Sequence, residues 1–389
     1  MLSGLLPPLA DDLHVSIPTA GLLISAFAVG MVVGAPLLAA TTLRLPPRTT
    51  LVGLLAAFGL GQVVGAVAPS YPVLFASRVV SALACAGFWA VGAAVAVSMV
   101  AADRRARAMS VMISGLSVAN IAGVPGGAVL GQHFGWRSAF LAVAALTAVA
   151  LVGVVALVPR TPPTAAAGQP RLRRELRLYR RPRVWLAVLT TALFAAATFC
   201  FFSYLAPLLT DVAGLGEGWV PVALTLYGLG ALGGTVVGGR IADAHLFGTL
   251  YGALGAATGV LLLLAATATL PVCVVPLSAL LGFTAFTAAP ALNARLFHLA
   301  ESAPTLAGAT NTAAFNLGNT VGPWLGGVVI DAGLGYASTA LAGGLLCALA
   351  VGTTAVQDRA DRARARRRTV ARAPACPEPA VEAAPPGAR

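Results

Sequence analysis

The sequence predicts an all-α membrane protein made of two related helix bundles, and three observations predict it. Of its 389 residues 58% are hydrophobic and only 10% charged, with a mean hydropathy of +0.87, which is too apolar for a water-soluble domain. The second half repeats the first at an offset of about 200 residues, as halved transporter architectures do. All 25 basic residues are Arg, and they alternate from loop to loop as a membrane topology requires.

A helix needs roughly 20 apolar residues to cross a hydrocarbon layer ~30 Å thick. Eleven stretches qualify: 17–40, 49–68, 72–98, 108–131, 138–158, 184–209, 219–239, 246–268, 271–294, 305–330 and 336–356. The ten-residue alternation of a membrane β-barrel is absent, so helices are the solution that satisfies the backbone. Residues 1–9 cover roughly 14 Å, about half the layer. They lack the basic leader and small-residue cleavage site of a signal peptide.

The repeat is legible residue by residue. Ser3, Pro7, Leu9 and Asp11 recur as Ser203, Pro207, Leu209 and Asp211, and Gly30-Met-Val-Val-Gly34 returns as Gly234-Thr-Val-Val-Gly238. Asn120 with Gly123 is echoed by Asn319 with Gly322, and Gly135-Trp136-Arg137-Ser138 by Gly335-Tyr336-Ala337-Ser338. Because Pro7 matches the end of the span 184–209, the expectation is two six-helix bundles whose helix 1 is truncated, its counterpart starting about sixteen residues ahead of Met1. A misplaced start codon or a natural eleven-span variant are the two explanations.

Loops on one side hold Arg44 and Arg48, then Arg104, Arg105 and Arg107, eight Arg from 159 to 183, Arg240, Arg295 and eight after 357; loops on the other side hold only Arg137. This asymmetry places the C-terminus in the cytoplasm of a multi-pass plasma-membrane protein, and makes the net charge of +12 a topological signal. Contact with anionic lipid is expected of the Arg-rich tail, and nucleic acid is not. The domains expected are an N-terminal bundle at 1–158, a cytoplasmic connector with an amphipathic helix at 159–183, a C-terminal bundle at 184–357 and a disordered tail at 358–389. The five cysteines have neither metal nor redox spacing, and read as small apolar packing residues.

Arg78 is the only charge well inside an expected span, and no Asp or Glu lies in any of the eleven. Such an Arg needs a partner or a wet cavity, so an acid on the incomplete helix is expected, the alternative being snorkelling to the interface. Two spans carry a Gly and Pro constellation that reads either as membrane packing or as a hinge between halves: Gly318, Gly322, Pro323, Gly326 and Gly327 in one, Gly123, Pro125, Gly126 and Gly127 in the other. Gly239, Arg240 and Asp243 end a helix where a cytoplasmic gate could form, with surface capping the alternative. Asn120, Asn293, Asn311 and Asn316, with Phe199, Phe202 and Phe315, are candidates for touching cargo, against interhelical bonding for the amides and lipid-facing placement for the rings. His14, His133, His245 and His298 lie far apart, nothing looks catalytic, and no phosphate-binding loop is present, so an enzyme or an ATP-driven pump is not expected.

These residues resemble the major facilitator superfamily, in particular its drug:proton antiporters. Leu74-x-x-x-Arg78 resembles the fourth-helix motif implicated in proton transfer, and Gly318 to Gly327 matches the antiporter motif Gly-x-x-x-Gly-Pro-x-x-Gly-Gly, best known from helix 5. The helix-5 copy departs from it, with Ala119 and a shortened Val-Pro-Gly-Gly. Gly239 to Asp243 resembles the loop 8-9 copy of the cytoplasmic motif; the loop 2-3 copy, Ala35 to Ala39, is degenerate. Met1-Leu-Ser-Gly-Leu-Leu-Pro-Pro-Leu-Ala, Thr19 to Phe27, Gly34-Ala-Pro36 and Ala122 to Gly127 are similar to actinobacterial chloramphenicol-resistance exporters along essentially the whole chain. That resemblance implies a Glu two positions upstream of Met1 as counter-ion to Arg78. It also implies a monomeric antiporter that expels a small apolar drug, chloramphenicol or a relative, on a proton gradient without a cofactor or metal. A sugar or metabolite exporter, or a non-transport membrane protein, is the alternative.

Overall fold

The computed structural model describes residues 2–42, 46–101, 112, 115, 119–159, 181–299 and 304–372, and among them it is helical with no strand. A 3-10 turn, Leu2–Gly4, leads into α1 (Leu6–Asp12), followed by α2 (Ile17–Thr42), α3 (Pro47–Ala66) and α4 (Tyr71–Ser98). A π-turn, Ala119–Gly123, opens α5 (Val124–Phe134), and α6 is Trp136–Leu157. Then come α7 (Pro182–Phe202), a broken tip from Leu205 to Val212, α8 (Trp219–Ala244), α9 (Leu246–Ala266) and α10 (Pro271–Leu299). Last are α11 (Pro304–Val329), a π-turn at Ile330–Leu334 and α12 (Ala337–Arg372).

Nine helices among the described residues are long and apolar enough to cross a membrane. The expected span 305–330 is present as α11, but its asparagines and threonines keep it outside those nine. Most of the expected span 108–131 and of the connector's amphipathic helix lies outside the described residues.

Packing divides the helices into two groups. In the first, α4 lies between α2 and α3, and α6 packs on α3 and α5; in the second, α7 packs on α10, α11 and α12, while α9 joins α8, α10 and α12. The groups meet along two seams, α2 on α11 and α5 on α8. Lipid supplies no hydrophobic drive between helices, so close backbone approach must hold them together, and the repeated glycines supply it. Gly30 and Gly34 let α2 settle on Ala82, Leu83 and Ala86 of α4. Their counterparts Gly234 and Gly238, with Gly230, lay α8 on the carbonyls of Ala279, Phe283 and Thr287 in α10.

The other repeats also keep their geometry. Gly135 and Gly335 both take a positive φ, 79° and 75°, which a side chain would resist. In each copy the serine three residues on donates its hydroxyl to that glycine's carbonyl, Ser138 at 2.7 Å and Ser338 at 2.6 Å, and starts the next helix. The copies near Ser3 and Ser203 meet each other: Leu2, Leu5, Leu6 and Leu9 share one buried cluster with Tyr204, Leu74, Trp136 and Phe140, and close one end of the molecule.

At the other end, two expectations need correction. The segment 358–372, expected to be disordered, continues α12 as helix. Arg295, expected in a loop, lies within α10 and is 6% exposed. The physical reason is mutual pairing: Asp361 of α12 lies 2.7 Å from Arg295 and 2.8 Å from Arg183 at the start of α7. Gln357 accepts from Arg295 at 3.1 Å and donates to Thr190 at 2.7 Å, and Asp358 pairs with Arg362 one turn on. The remaining tail, 373–389, lies outside the described residues.

The glycine contacts set a clear expectation for stability. Gly234→Val drives a side chain into the Phe283 backbone and costs about 1–3 kcal/mol or more, whereas Gly252→Ala, with open space around it, is neutral; thermal unfolding of the detergent-solubilised protein separates the two.

Candidate functional site

Arg78 sits about two turns into α4, and its neighbours are rings. The guanidinium carbon lies 4.5 Å from the centroid of Phe27 on α2 and 5.8 Å from that of Phe140 on α6, cation–π contacts that offset part of the cost of holding a charge away from water. Its Nε is buried without a hydrogen-bond partner, and none of the ion pairs among the described residues includes it. The described structure therefore holds a guanidinium solvated by aromatic faces at the middle of the first group.

On the seam between the groups lies a cavity of about 110 Å³ lined by Val124 of α5, Phe199 and Phe202 of α7, Leu224, Tyr227, Leu232 and Thr235 of α8, and Phe286 of α10. Among the described residues, no carboxylate or base lines it. Its rings pack on one another: Phe202 and Tyr227 have centroids 4.6 Å apart and tilted, Tyr227 and Phe286 lie edge-on at 6.4 Å, Phe199 and Phe202 edge-on at 6.0 Å. Phe199 and Phe202 thus both line this cavity. Phe315 instead packs edge-on against Phe194 at 6.3 Å.

Three of the candidate amides make hydrogen bonds within the protein. Asn311 donates to Asn293, tying α11 to α10, and Asn293 donates to the Ala289 carbonyl at 3.0 Å. Asn316 donates to the Thr312 carbonyl one turn back at 2.9 Å. Asn120 falls in the π-turn before α5, and its side chain lies outside what is described.

The Gly and Pro constellation of α11 faces its own group. Gly318 and Gly322 lie on Ala192, Ala195 and Ala196 of α7, Gly326 on Cys200 and the Tyr204 ring, and only Gly327 reaches Pro18 of α2. The helix runs unbroken through Pro323. In the α5 copy, Gly123 closes a π-turn, Pro125 and Gly127 are buried in the next turn, and nothing crowds Gly123 or Gly126. Gly239 and Arg240 lie in the last turns of α8, with Arg240 exposed, and the side chain of Asp243 lies outside the described residues.

Tyr204, just beyond the end of α7, is fully buried. Its hydroxyl donates to the Pro323 carbonyl at 2.8 Å, and its ring fits where Gly21 of α2 and Gly326 and Gly327 of α11 leave room. Ser25 adds a bond from α2 to the Thr320 carbonyl at 2.8 Å. Nearby, Asp12 accepts from Trp136 at 3.1 Å and pairs with Arg137, which also reaches the Ala68 carbonyl at 3.2 Å. Tyr204 and Tyr227 were missed because their role depends on which glycines surround them in space. A hydroxyl-bearing ring eight residues into an apolar helix was the available signal for Tyr227.

The model of the major facilitator superfamily matches residues 1–323. The chain belongs to this superfamily. A chloramphenicol resistance protein of Streptomyces lividans is 45% identical over 357 residues, covering 90% of each chain. The inner membrane transport protein YdhP of Escherichia coli K12 is 38% identical over 348 residues, covering 90% and 89%. Among solved structures, a bacterial homolog of the human lysosomal transporter Spinster, in an inward-facing and unoccupied conformation, superposes with a TM-score of 0.69 at 18% identity, covering 90% of this chain and 91% of that one. The chain is therefore a multi-pass transporter of the major facilitator fold.

Two outcomes follow for the closed end. Tyr204→Phe removes one buried hydrogen bond, worth about 1 kcal/mol, and shifts the protein toward opening there, read as faster labelling of a cysteine placed at Leu9. Arg137 and Trp136 hold the Asp12 carboxyl below its ordinary 3.8, so their contact stabilises the fold above that pH and is lost as pH falls through the lowered value. Asp12→Asn accordingly lowers the melting temperature at neutral pH, and the difference from the unmodified protein closes under strong acid.

Proposed function

We propose that the protein is a proton-coupled exporter of a small apolar drug, chloramphenicol or a related compound, and so confers resistance. The observation that carries this reading is the uncharged, ring-lined cavity on the α5–α8 seam: a ligand there touches both helix groups, so the state that admits it and the state that releases it differ in how those groups meet. The similarity to a chloramphenicol resistance protein supports that cargo.

Arg78 is the coupling group in this reading. Its charge is held by rings, so a proton gained or lost by an acid brought beside it changes the cost of exposing the guanidinium to either side. The uncrowded Gly123 and Gly126 let α5 shift against α8, while α11, locked to α7 through Gly318, Gly322 and Gly326, moves with it against α2, and Gly239, Arg240 and Asp243 form the gate at the end of α8. The protein works as a monomer in the plasma membrane with its C-terminus in the cytoplasm, and the proton gradient replaces a cofactor.

In a drug-sensitive bacterium, expression raises the inhibitory concentration of chloramphenicol, and an uncoupler restores accumulation of labelled drug. Arg78→Ala abolishes the export while the protein remains folded in the membrane. Export that persists in de-energised vesicles overturns the proton coupling, and unchanged tolerance with confirmed expression overturns the cargo.

A further inference from the structure

Tyr227 is the one cavity residue that joins a large ring to an uncommitted hydroxyl. It is only 7% exposed, yet among the described residues its hydroxyl has no hydrogen-bond partner. The other lining hydroxyl, Thr235, is spent on the Ala231 carbonyl of its own helix at 2.8 Å. Elsewhere Tyr71 and Tyr204 each donate to a backbone carbonyl, at 2.7 and 2.8 Å, as buried tyrosines ordinarily do.

The position is also rigid. Gly282 of α10 packs on the Tyr227 carbonyl, and Gly230 and Gly234 hold the following turns of α8 against α10. Phe202 covers one face of the ring and Phe286 meets it edge-on, which fixes the direction in which the hydroxyl faces the cavity. A donor fixed this way selects cargo well, because its bond geometry is set before binding.

We propose that Tyr227 determines specificity by donating a hydrogen bond to an acceptor oxygen, such as that of a nitro or sulfonyl group, on an uncharged aromatic cargo whose ring packs beside Phe199, Phe202 and Phe286. This deepens the transport reading and rests on it. Among the described residues the lining offers no charged partner, so an ionised group left there bears a desolvation cost with no compensation from them. The mutual packing of Phe202 and Tyr227 also turns one electron-rich face of each away from a cation.

The test is equilibrium binding to the purified full-length protein in nanodiscs, with chloramphenicol, 4-nitrobenzyl alcohol and benzyl alcohol as probes. Tyr227→Phe keeps the ring and is expected to weaken binding of both nitro compounds about fivefold, the value of one buried hydrogen bond, while benzyl alcohol binds as before. Tyr251→Phe, whose hydroxyl contacts Asp358 between α9 and α12, is expected to leave all three unchanged. Equal chloramphenicol affinity in Tyr227→Phe and the unmodified protein overturns the role of Tyr227 and leaves the cargo standing. Binding of 4-nitrobenzyl alcohol that depends on Tyr227, without binding of chloramphenicol, supports the role and overturns the cargo. No binding of either nitro compound overturns both.

Discussion

The structure depends on backbone meeting backbone across stripes of glycine. A helix in lipid gains little by hiding apolar side chains from its surroundings, so the pairs that hold are those whose main chains come close enough for dispersion and polar contacts to add up. Among the pairs that do so are α2 with α4, α8 with α10 and α7 with α11. In the last two the glycines recur four residues apart and meet the carbonyls of the facing helix. Each such pair is a stiff unit that moves as one body.

Those stiff units explain where chemistry is found. The α8–α10 pair presents Tyr227 and Phe286 to the α5 seam, and the α7–α11 pair contributes Phe199 and Phe202 and receives Tyr204 at its end. The α2–α4 pair carries Phe27 and Arg78 face to face. Polar bonds link one unit to another: Ser25 to Thr320 and Asn311 to Asn293. Bonds of this kind can be exchanged one for another during a conformational change without dismantling a core.

Much of this was legible from residues alone. Hydropathy located nine of the expected spans, and the matched quartets around Gly135 and Gly335 fold alike because a positive φ and a serine three residues later are both written locally. Arg78 was recognisable because a charge inside an apolar run is rare. What stayed hidden was convergence between distant segments. Asp361 reads as part of a charged tail until α7 and α10 bring Arg183 and Arg295 to it, and no local pattern pairs Asn293 with Asn311 across α10 and α11. The direction of the α11 glycines was likewise invisible, since the same spacing serves packing within a group or movement between groups.

The length of α12 has a practical result. Its 36 residues form one continuous helix, about 54 Å at 1.5 Å per residue, well beyond the ~30 Å hydrocarbon layer. The excess, from about residue 357 on, forms a stalk that Asp361 roots to α7 and α10. A fluorophore or spin label fixed on the exposed side of that stalk, at Arg359 for instance, would turn with the second helix group as a rigid pointer and convert a small internal rotation into a larger displacement outside the membrane.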